Sequence, residues 1–305
     1  MTRLPTPFHG LRLPLIAAPM FLVSNPALVI ATCRRGVVGT FPALNARTSE
    51  QLAEWIDAVQ TSLAGQADAA PFGVNLTLHR DNGRFHDDVE ICAAKKVPLI
   101  ITSMSSARNV VDRVHDYGGL VFHDVTNVQH ARKAAEAGVD GIMAIAAGAG
   151  GHGGTISPFA LVKEIRSVFA GTIVLGGGLT TGGDVAAAIA MGADMAYMGT
   201  PFIATHESAA SADYKAMLSA SSAADVIYTP AVSGVPANFL RASLDAGGYD
   251  LDAGTRGAAK PWREVWSAGH GVGQVGAAVS AASLCDRLAG EYHSSLFASA
   301  ALLPL

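Results

Sequence analysis

Residues 173–200 read IVLGGGLTTGGDVAAAIAMGADMAYMGT, and this stretch decides the fold. It begins with a short, β-branched apolar run that ends in three glycines, continues as an alanine-rich segment typical of a helix, and closes with a second apolar run. Two strands that are joined through a helix in this way lie parallel to each other. The stretch therefore predicts a parallel sheet whose strands are buried by helices.

The same unit of strand and helix recurs along the chain. The predicted strands and their following helices are 13–18 with 26–35, 37–40 with 49–63, 72–76 with 85–95, 97–102 with 105–117, 120–123 with 127–137, 141–146 with 158–169, 173–175 with 182–191, and 195–199 with a short turn from Pro201. Eight successive units with right-handed crossovers close most economically into a TIM (β/α)8 barrel. An open, doubly wound sheet is the alternative.

The pattern changes after the eighth predicted strand. Residues 206–260 mix polar helical segments with irregular stretches rich in Pro and Gly, and we expect them to form an inserted, mostly helical cap. A helical pattern returns from residue 261 to about residue 296. The sequence thus predicts a barrel over residues 1–205, a cap over 206–260 and a C-terminal helical return to the barrel over 261–305.

Composition argues against several classes of protein. The formal net charge is −4 at pH 7 and no run of Lys and Arg occurs, so nucleic acid is a poor partner. The three cysteines are widely spaced, which predicts neither a disulfide framework nor a zinc motif. Because prolines break the N-terminal segment and no apolar stretch of about 18 residues follows, we expect a cytoplasmic protein without a membrane span.

The predicted strands seven and eight both end in glycine. Gly176, Gly177 and Gly178 follow strand seven, and Gly199 and Thr200 follow strand eight. Barrels commonly bind a phosphate at these two strand ends, through backbone N–H groups that glycine allows the anion to approach closely. These five residues are therefore predicted to bind a phosphate. A tight turn is the alternative explanation for the triple glycine.

A glycine-rich loop follows the predicted sixth strand. Residues 148–154 read GAGGHGG, so His152 carries the one functional side chain on a loop of small residues. Such a loop lets the backbone pass close to a flat ligand while the imidazole reaches its reactive face, which predicts a catalytic role for His152. A hydrogen bond that braces the loop is the alternative. Since no serine elbow, Walker loop, HExxH motif or carboxylate cluster is visible, we expect a cofactor to supply the chemistry.

Six segments spread over nearly the whole chain share their pattern with one family. They are residues 14–20 (PLIAAPM), 71–77 (PFGVNLT), 150–154 (GGHGG), 176–178 (GGG), 192–200 (GADMAYMGT) and 267–270 (SAGH). Through these segments the chain resembles the nitronate monooxygenases, the former 2-nitropropane dioxygenases. That family also contains FMN-dependent reductases of enoyl thioesters and quinones.

The resemblance implies an FMN cofactor and a role for each matching residue. Pro19 and Met20 would lie against the isoalloxazine ring, Asn75 and Thr77 would bond its polar edge, Gly150 and Gly151 would line the cofactor, Gly176, Gly177, Gly178, Gly199 and Thr200 would bind its phosphate, and His152 would be the catalytic histidine. In that role the imidazole hydrogen-bonds the nitro group of the substrate or accepts its α-proton.

The same resemblance implies an oxidoreductase that oxidises alkyl nitronates with O2 to a carbonyl compound and nitrite. The anionic substrate gives an electron to the flavin, and oxygen completes the reaction. An FMN-dependent NAD(P)H reductase of quinones or enoyl thioesters is the alternative, and a barrel that binds a phosphorylated metabolite without redox chemistry is a further one. The partners are then a small molecule and O2, and a homodimer is left open.

Two positions depart from the family pattern. Some members have Lys near the flavin where this chain has Asp124, and a carboxylate there would disfavour an anionic reduced flavin unless a donor such as His123 offsets it. Many members have Arg where this chain has Pro201. The preference of the site for the charge of its substrate is therefore open.

Aromatic side chains occur in the cap and just after it. They are Tyr228, Phe239, Trp262 and Trp266. We expect these side chains either to cover the flavin and shape the substrate pocket or to pack in the core.

Overall fold

Eight parallel strands close into a barrel in which each strand pairs with the next and the first pairs with the last. The computed structural model describes residues 3–77, 82–104 and 106–301, of which 299–301 are described by their backbone only. The strands are β1 (Leu15–Ala17), β2 (Val38–Pro42), β3 (Phe72–Thr77), β4 (Leu99–Ser103), β5 (Leu120–Val125), β6 (Gly141–Ile145), β7 (Thr172–Gly176) and β8 (Met195–Met198). The predicted TIM barrel is confirmed.

A helix follows each strand. The helices are α1 (Pro26–Cys33), α2 (Ser49–Leu63), α3 (Phe85–Ala94), α4 (Arg108–His115), α5 (Val128–Glu136), α6 (Pro158–Arg166), α7 (Gly182–Ala190) and the single turn α8 (Thr200–Ile203). Each overlaps its predicted range, although the predicted start of α4 at Ser105 lies outside the described residues. The eight predicted units of strand and helix are therefore all present.

Side-chain caps fix where several helices begin. The side chains of Asn25, Thr48 and Asn127 each accept a hydrogen bond from a backbone N–H group in the first turn of α1, α2 and α5. A reciprocal capping box of Thr181 and Asp184 starts α7. Each cap thus fixes the point at which the loop from the preceding strand enters its helix.

Two hydrophobic layers hold the barrel together. The inner layer fills the barrel, and the outer layer lies between strands and helices. Inner residues include Ile16, Val38, Leu99, Ile101, Phe122, Met143, Val174 and Met195. Phe8, on the N-terminal turn Thr6–Phe8, packs edge-on against Phe122 with the ring centroids 5.6 Å apart. The N-terminal segment therefore covers the amino end of the barrel, which leaves the carboxyl end for a ligand.

The region after α8 contains two helices and a hairpin. The helices are α9 (Ala212–Ser219) and α10 (Arg241–Ala246), and the antiparallel hairpin consists of β9 (Val226–Thr229) and β10 (Ala237–Leu240). The prediction of a mostly helical cap missed this hairpin, because four-residue strands are too short to show a clear alternation of apolar and polar residues. The cap boundaries at 206 and 260 stay predictions.

The C-terminal part is helical only from Ala281. The long helix α11 (Ala281–Ala301) packs against α7 and α1 and completes the outer ring of helices. The helical pattern predicted from residue 261 is wrong for residues 261–280, which form an irregular segment with one short 3-10 turn, His270–Gln274. Several glycines disfavour a helix in this segment, and hydrogen bonds to the barrel loops compensate for the lost helical ones.

Helix α11 approaches α7 so closely that a Cβ atom on Gly182 would overlap the carbonyl oxygen of Leu288.

Within the parts of the chain that the structure describes, no helix combines the length and the apolar character that a membrane crossing requires.

Candidate active site

A cavity of about 950 Å³ opens at the carboxyl ends of the barrel strands. Every residue that the sequence predicted for the cofactor or for catalysis lines it, namely Pro19, Met20, Asn75, Thr77, Gly150, Gly151, His152, Gly176, Gly177, Gly178, Gly199 and Thr200. They come from loops that are far apart in the chain. The barrel therefore brings the predicted set together, while the role of each residue stays a prediction.

The turn after β7 has a backbone that requires glycine. The φ angles of Gly177 and Gly178 are +140° and +71°, and a Cβ atom on Gly177 would lie 2.8 Å from the carbonyl oxygen of Ala147. The N–H group of Gly178 donates to the carbonyl oxygen of Gly148 at 3.1 Å. This bond joins the turn to the glycine-rich loop. The predicted phosphate-binding turn and the loop that carries His152 therefore belong to the same wall of the cavity.

Gly199 and Thr200 stand beside that turn, at the end of β8. A Cβ atom on Gly199 would lie 3.3 Å from the sulfur of Met20, so the absent side chain leaves the backbone accessible from the cavity. The hydroxyl of Thr200 accepts a hydrogen bond from the N–H group of Gly269 at 2.9 Å. The irregular C-terminal segment is thereby bound directly to the end of β8.

The glycine-rich loop is held by two polar residues to which the sequence analysis assigned no role. The N–H group of Gly151 donates to Ser267 Oγ at 2.6 Å, and that hydroxyl donates in turn to the carbonyl oxygen of Asn238, also at 2.6 Å. Asn238 also donates through its backbone N–H group to Gly151 and through Nδ2 to Ala149. Ser267 lies in a quoted segment, but nothing in the sequence pointed to Asn238 on β10.

His152 projects from this loop into the cavity. Its ring meets Trp262 edge-on, with the centroids 5.1 Å apart, and Trp262 packs in turn on the buried Phe239. Although the imidazole is accessible from the cavity, desolvation by the cavity walls lowers its pKa below the ordinary value. The neutral ring is therefore favoured near neutral pH, and it can accept a proton or a hydrogen bond.

The predicted aromatic residues divide between cavity and core. Trp262 lines the cavity, Phe239 is buried behind it, and the hydroxyl of Tyr228 donates to the carbonyl oxygen of Gly153 at 3.2 Å. Trp266 stacks on Tyr214, with the ring centroids 5.0 Å apart. Tyr214 itself lines the cavity, and the sequence analysis did not single it out.

Polar side chains form the wall at β3, β4 and β5. Asn75 Nδ2 donates to the carbonyl oxygen of Ile101 at 3.2 Å, which orients the amide at the end of β3. His123 Nδ1 and the hydroxyl of Thr102 share a hydrogen bond of 2.8 Å. Burial, together with the nearby His130, lowers the pKa of His123 to about 4, so this imidazole is neutral at physiological pH.

Asp124 lies in the same wall, with no partner for its carboxyl among the residues that the structure describes. Its Oδ1 atom is buried and accepts no hydrogen bond, and no ion pair with the carboxyl occurs among the described residues. Burial raises its pKa to about 7. The pKa of the nearby Tyr197 is raised as well, first by burial and then by Asp124. The negative charge that the sequence suggested at this position is therefore partly neutralised by a bound proton at neutral pH.

Known proteins resemble the chain in sequence and in structure. The sequence model of the family described as Nitronate monooxygenase matches residues 80–245, more than half of the chain. A Nitronate monooxygenase of Paraburkholderia phytofirmans is 27% identical, and the match covers 95% of each chain.

Two further relatives have different activities in their names. The (3aS,4S,5R,7aS)-5-hydroxy-7a-methyl-1-oxo-octahydro-1H-indene-4-carboxyl-CoA dehydrogenase of Mycobacterium tuberculosis is 28% identical over 79% of this chain and 68% of its own. A solved structure of the nitroalkane oxidase of Streptomyces ansochromogenes superimposes with a TM-score of 0.79, at 26% identity, over 94% of this chain and 97% of that one.

Proposed function

The chain belongs to the nitronate monooxygenase family, and from that premise we propose that it is an FMN-dependent enzyme that oxidises alkyl nitronates with O2. Membership in the family makes it a flavin-dependent oxidoreductase. The observation that carries the finer proposal is the convergence of His152 and the glycines of β7 and β8 on one cavity.

We also propose a cytoplasmic location, since Cys33, Cys92 and Cys285 are buried free thiols.

The residues present fit a flavin mononucleotide. Open space lies beside Gly178, where a Cβ atom would meet nothing within 4 Å, so a terminal phosphate could approach the backbone of the turn there. Pro19, Met20, Gly150 and Gly151, which line the same cavity, would contact the flavin ring. Asn75 and Thr77 would meet its polar edge. Bound there, the flavin supplies the one-electron chemistry that no side chain of the site can perform.

His152 binds and orients the substrate. The unprotonated nitrogen of its neutral imidazole accepts the α-proton of a nitroalkane. Alternatively, the N–H group of the imidazole donates a hydrogen bond to an oxygen of the nitronate. In the overall reaction the C–N bond of the nitronate breaks to release nitrite, and an oxygen atom from O2 forms the carbonyl group. Two nitronates and one O2 thus give two carbonyl compounds and two nitrite ions.

An FMN-dependent reductase is the second candidate. The observation in its favour is the relative in M. tuberculosis, whose name describes a carboxyl-CoA dehydrogenase. In that case hydride from NADH or NADPH would pass to a quinone or an enoyl thioester. The third candidate, a barrel that binds a phosphorylated metabolite without redox chemistry, would contain no flavin, and membership in the family argues against it. The possibility of a homodimer stays a prediction.

Anaerobic mixing of the FMN-loaded protein separates the candidates. We expect the flavin absorbance to bleach with the nitronate of 3-nitropropionate or of a nitroalkane, and to persist for minutes with NADH or NADPH. Bleaching within seconds by NADH or NADPH would establish the reductase instead. A purified protein without flavin absorbance that does not bind added FMN would refute both oxidoreductase proposals.

A further inference from the structure

Four large apolar side chains are exposed around the cavity, and together they form a surface that we call the apolar rim. It consists of Phe21, Leu44, Met104 and Val235. From it we infer that the substrate carries an extended apolar substituent, an alkyl chain of several carbons, which packs against the apolar rim while its nitronate group meets His152. This inference rests on the proposed function and adds the substrate class to it.

The apolar rim is built from four separate segments. Phe21 follows β1, Leu44 lies on the 3-10 turn Ala43–Asn45 after β2, Met104 follows β4, and Val235 lies in the turn between β9 and β10. Single exposed apolar side chains are common on any protein and need no explanation. Four of them around one cavity, contributed by both the barrel and the hairpin, are typical of a ligand-binding surface.

Hydrogen bonds hold the β1 and β2 part of the apolar rim in place. Asn45 Oδ1 accepts from the N–H group of Leu22 at 2.8 Å, and Asn45 Nδ2 donates to the carbonyl oxygens of Met20 and Ser24. One amide side chain thus joins the loop after β1 to the turn after β2. Phe21 and Leu44 therefore present their apolar side chains from a fixed backbone, so an apolar substituent finds a preformed surface.

Met104 presents its side chain from an uncommon backbone conformation. Its φ angle is +78°, in the left-handed region that residues with a Cβ atom seldom adopt, and 57% of its surface is exposed. Such a conformation costs free energy, and the flexible, apolar thioether of Met104 is exposed at the cavity. Contact with an apolar substituent would remove the thioether from water and offset the strain.

The competing occupant is a substrate with a second anionic group. His130 and Lys133 on α5 also line the cavity, and Lys133 forms no ion pair among the residues the structure describes. Water solvates an exposed Lys or His well, however, so covering these side chains gains little, whereas covering the four exposed apolar side chains of the rim removes apolar surface from water and is favourable. The observations therefore favour an apolar substituent, and a carboxylated nitronate becomes one arm of the test.

A series of nitronates of increasing length measures the contact. We expect kcat/KM of the FMN-loaded protein to rise about fourfold for each methylene that the rim covers, from nitroethane through nitrobutane and nitrohexane to nitrooctane, and then to level off. Inhibition of the wild-type enzyme by n-alkanols of the same lengths should strengthen in parallel. This second measurement depends on no variant, so it stands even where a variant fails to fold.

Variants connect the length dependence to the apolar rim. Phe21→Ser and Met104→Gln should flatten the rise with chain length while leaving FMN binding and nitroethane turnover within about twofold of wild type. Phe159→Ser is the matched control, because Phe159 on α6 is 66% exposed but does not line the cavity. Its length dependence should equal that of the wild type.

Each outcome decides a different question. A steep rise that is lost in the rim variants and kept in Phe159→Ser supports the inference. A flat series, or a preference for the nitronate of 3-nitropropionate over that of nitrobutane, overturns the inference but leaves nitronate oxidation intact. If the FMN-loaded protein turns over no nitronate at all, the proposed function itself is wrong, and the inference falls with it.

Discussion

His152 is placed for acid–base chemistry by neighbours of different kinds. Glycines on both sides leave room for a flat ligand, Trp262 holds one edge of the ring, and Ser267 fixes the preceding peptide through the N–H group of Gly151. Because desolvation lowers the pKa of the imidazole, its neutral form is available near pH 7. The sequence pattern singled out the histidine, whereas the positions of Trp262 and Ser267 around it emerge only from the fold.

Replacing this imidazole should separate catalysis from cofactor binding. His152→Ala is expected to keep bound FMN but to lose about 10²–10⁴-fold in kcat/KM for nitronates, the usual contribution of a general base or acid. Steady-state oxygen consumption and the flavin spectrum measure the two effects. His293→Ala on the exposed face of α11 is the control. Turnover that survives in His152→Ala would reduce the histidine to a structural residue.

Charge at the turn after β7 should decide FMN retention. Gly178 has a φ of +71° and open space around its Cα, so Asp and Asn both fit there at a similar cost in strain. Gly178→Asp places a carboxylate beside the proposed phosphate and should lose FMN, while Gly178→Asn should keep most of it. The ratio of flavin to protein after purification measures the effect. Equal FMN content in both variants would argue against a phosphate at this turn.

Asp124 should make stability depend on pH. Its pKa is about 7 in the folded protein and near the ordinary carboxyl value when unfolded, so between these values the folded state binds more protons. Stability from this group is therefore present at low pH and is lost as pH rises toward 7. Asp124→Asn removes the loss, so its Tm should exceed that of the wild type by several degrees at about pH 8 and by much less at about pH 5.

The wild-type protein, measured at the same two pH values, is the control for this prediction. His123 also titrates on unfolding, but it is present in both proteins and cancels in the difference. A Tm difference between Asp124→Asn and wild type that is the same at both pH values would show that the carboxyl is ionised in the folded protein.

At the scale of elements, the hairpin and the irregular segment of residues 261–280 complete the site. β10 contributes Asn238, and the irregular segment contributes Trp262, Ser267 and Gly269. Neither element belongs to the repeated unit of strand and helix. The barrel therefore supplies the cofactor wall, while these two elements fix the loop that carries His152.

Ser267→Ala tests this support. The change leaves the N–H group of Gly151 without its acceptor, which costs about 1–3 kcal/mol and lowers Tm by several degrees. Turnover should fall as well, because His152 follows Gly151 directly, while FMN should remain bound. Ser167→Ala is the matched control, since that exposed hydroxyl donates to the carbonyl oxygen of Glu164 at the end of α6 and does not line the cavity. Wild-type turnover in Ser267→Ala would show that the loop holds its geometry without the serine.

The elements differ in how well the sequence could predict them. β6 and β7 are buried along their whole length and are followed by the amphipathic α6 and the capped α7, so their pattern is clear. β9 and β10 have four residues each, too few for a reliable alternation. Residues 261–280 look helical in part, but hydrogen bonds from Gly269 and His270 to the barrel loops decide their path, and such tertiary bonds leave no local signal.

At the scale of the molecule, closure of the barrel explains why a site predicted from scattered segments is compact. Parallel strands place their carboxyl ends on one face, so Met20, Asn75, His152 and Gly199 meet around one cavity despite their distance in sequence. Because the sequence showed eight units of strand and helix, it correctly predicted that the site lies at the carboxyl ends of the barrel strands. The sequence could not predict how the region after β8 folds back over it, because that depends on contacts between distant residues.

A crystal structure of the FMN-reconstituted protein tests the central claim most directly. We predict that the flavin phosphate lies between the turn of residues 176–178 and Gly199, and that the isoalloxazine ring lies within contact distance of the His152 imidazole. Density for the phosphate elsewhere, or a ring that the imidazole does not reach, would contradict the account.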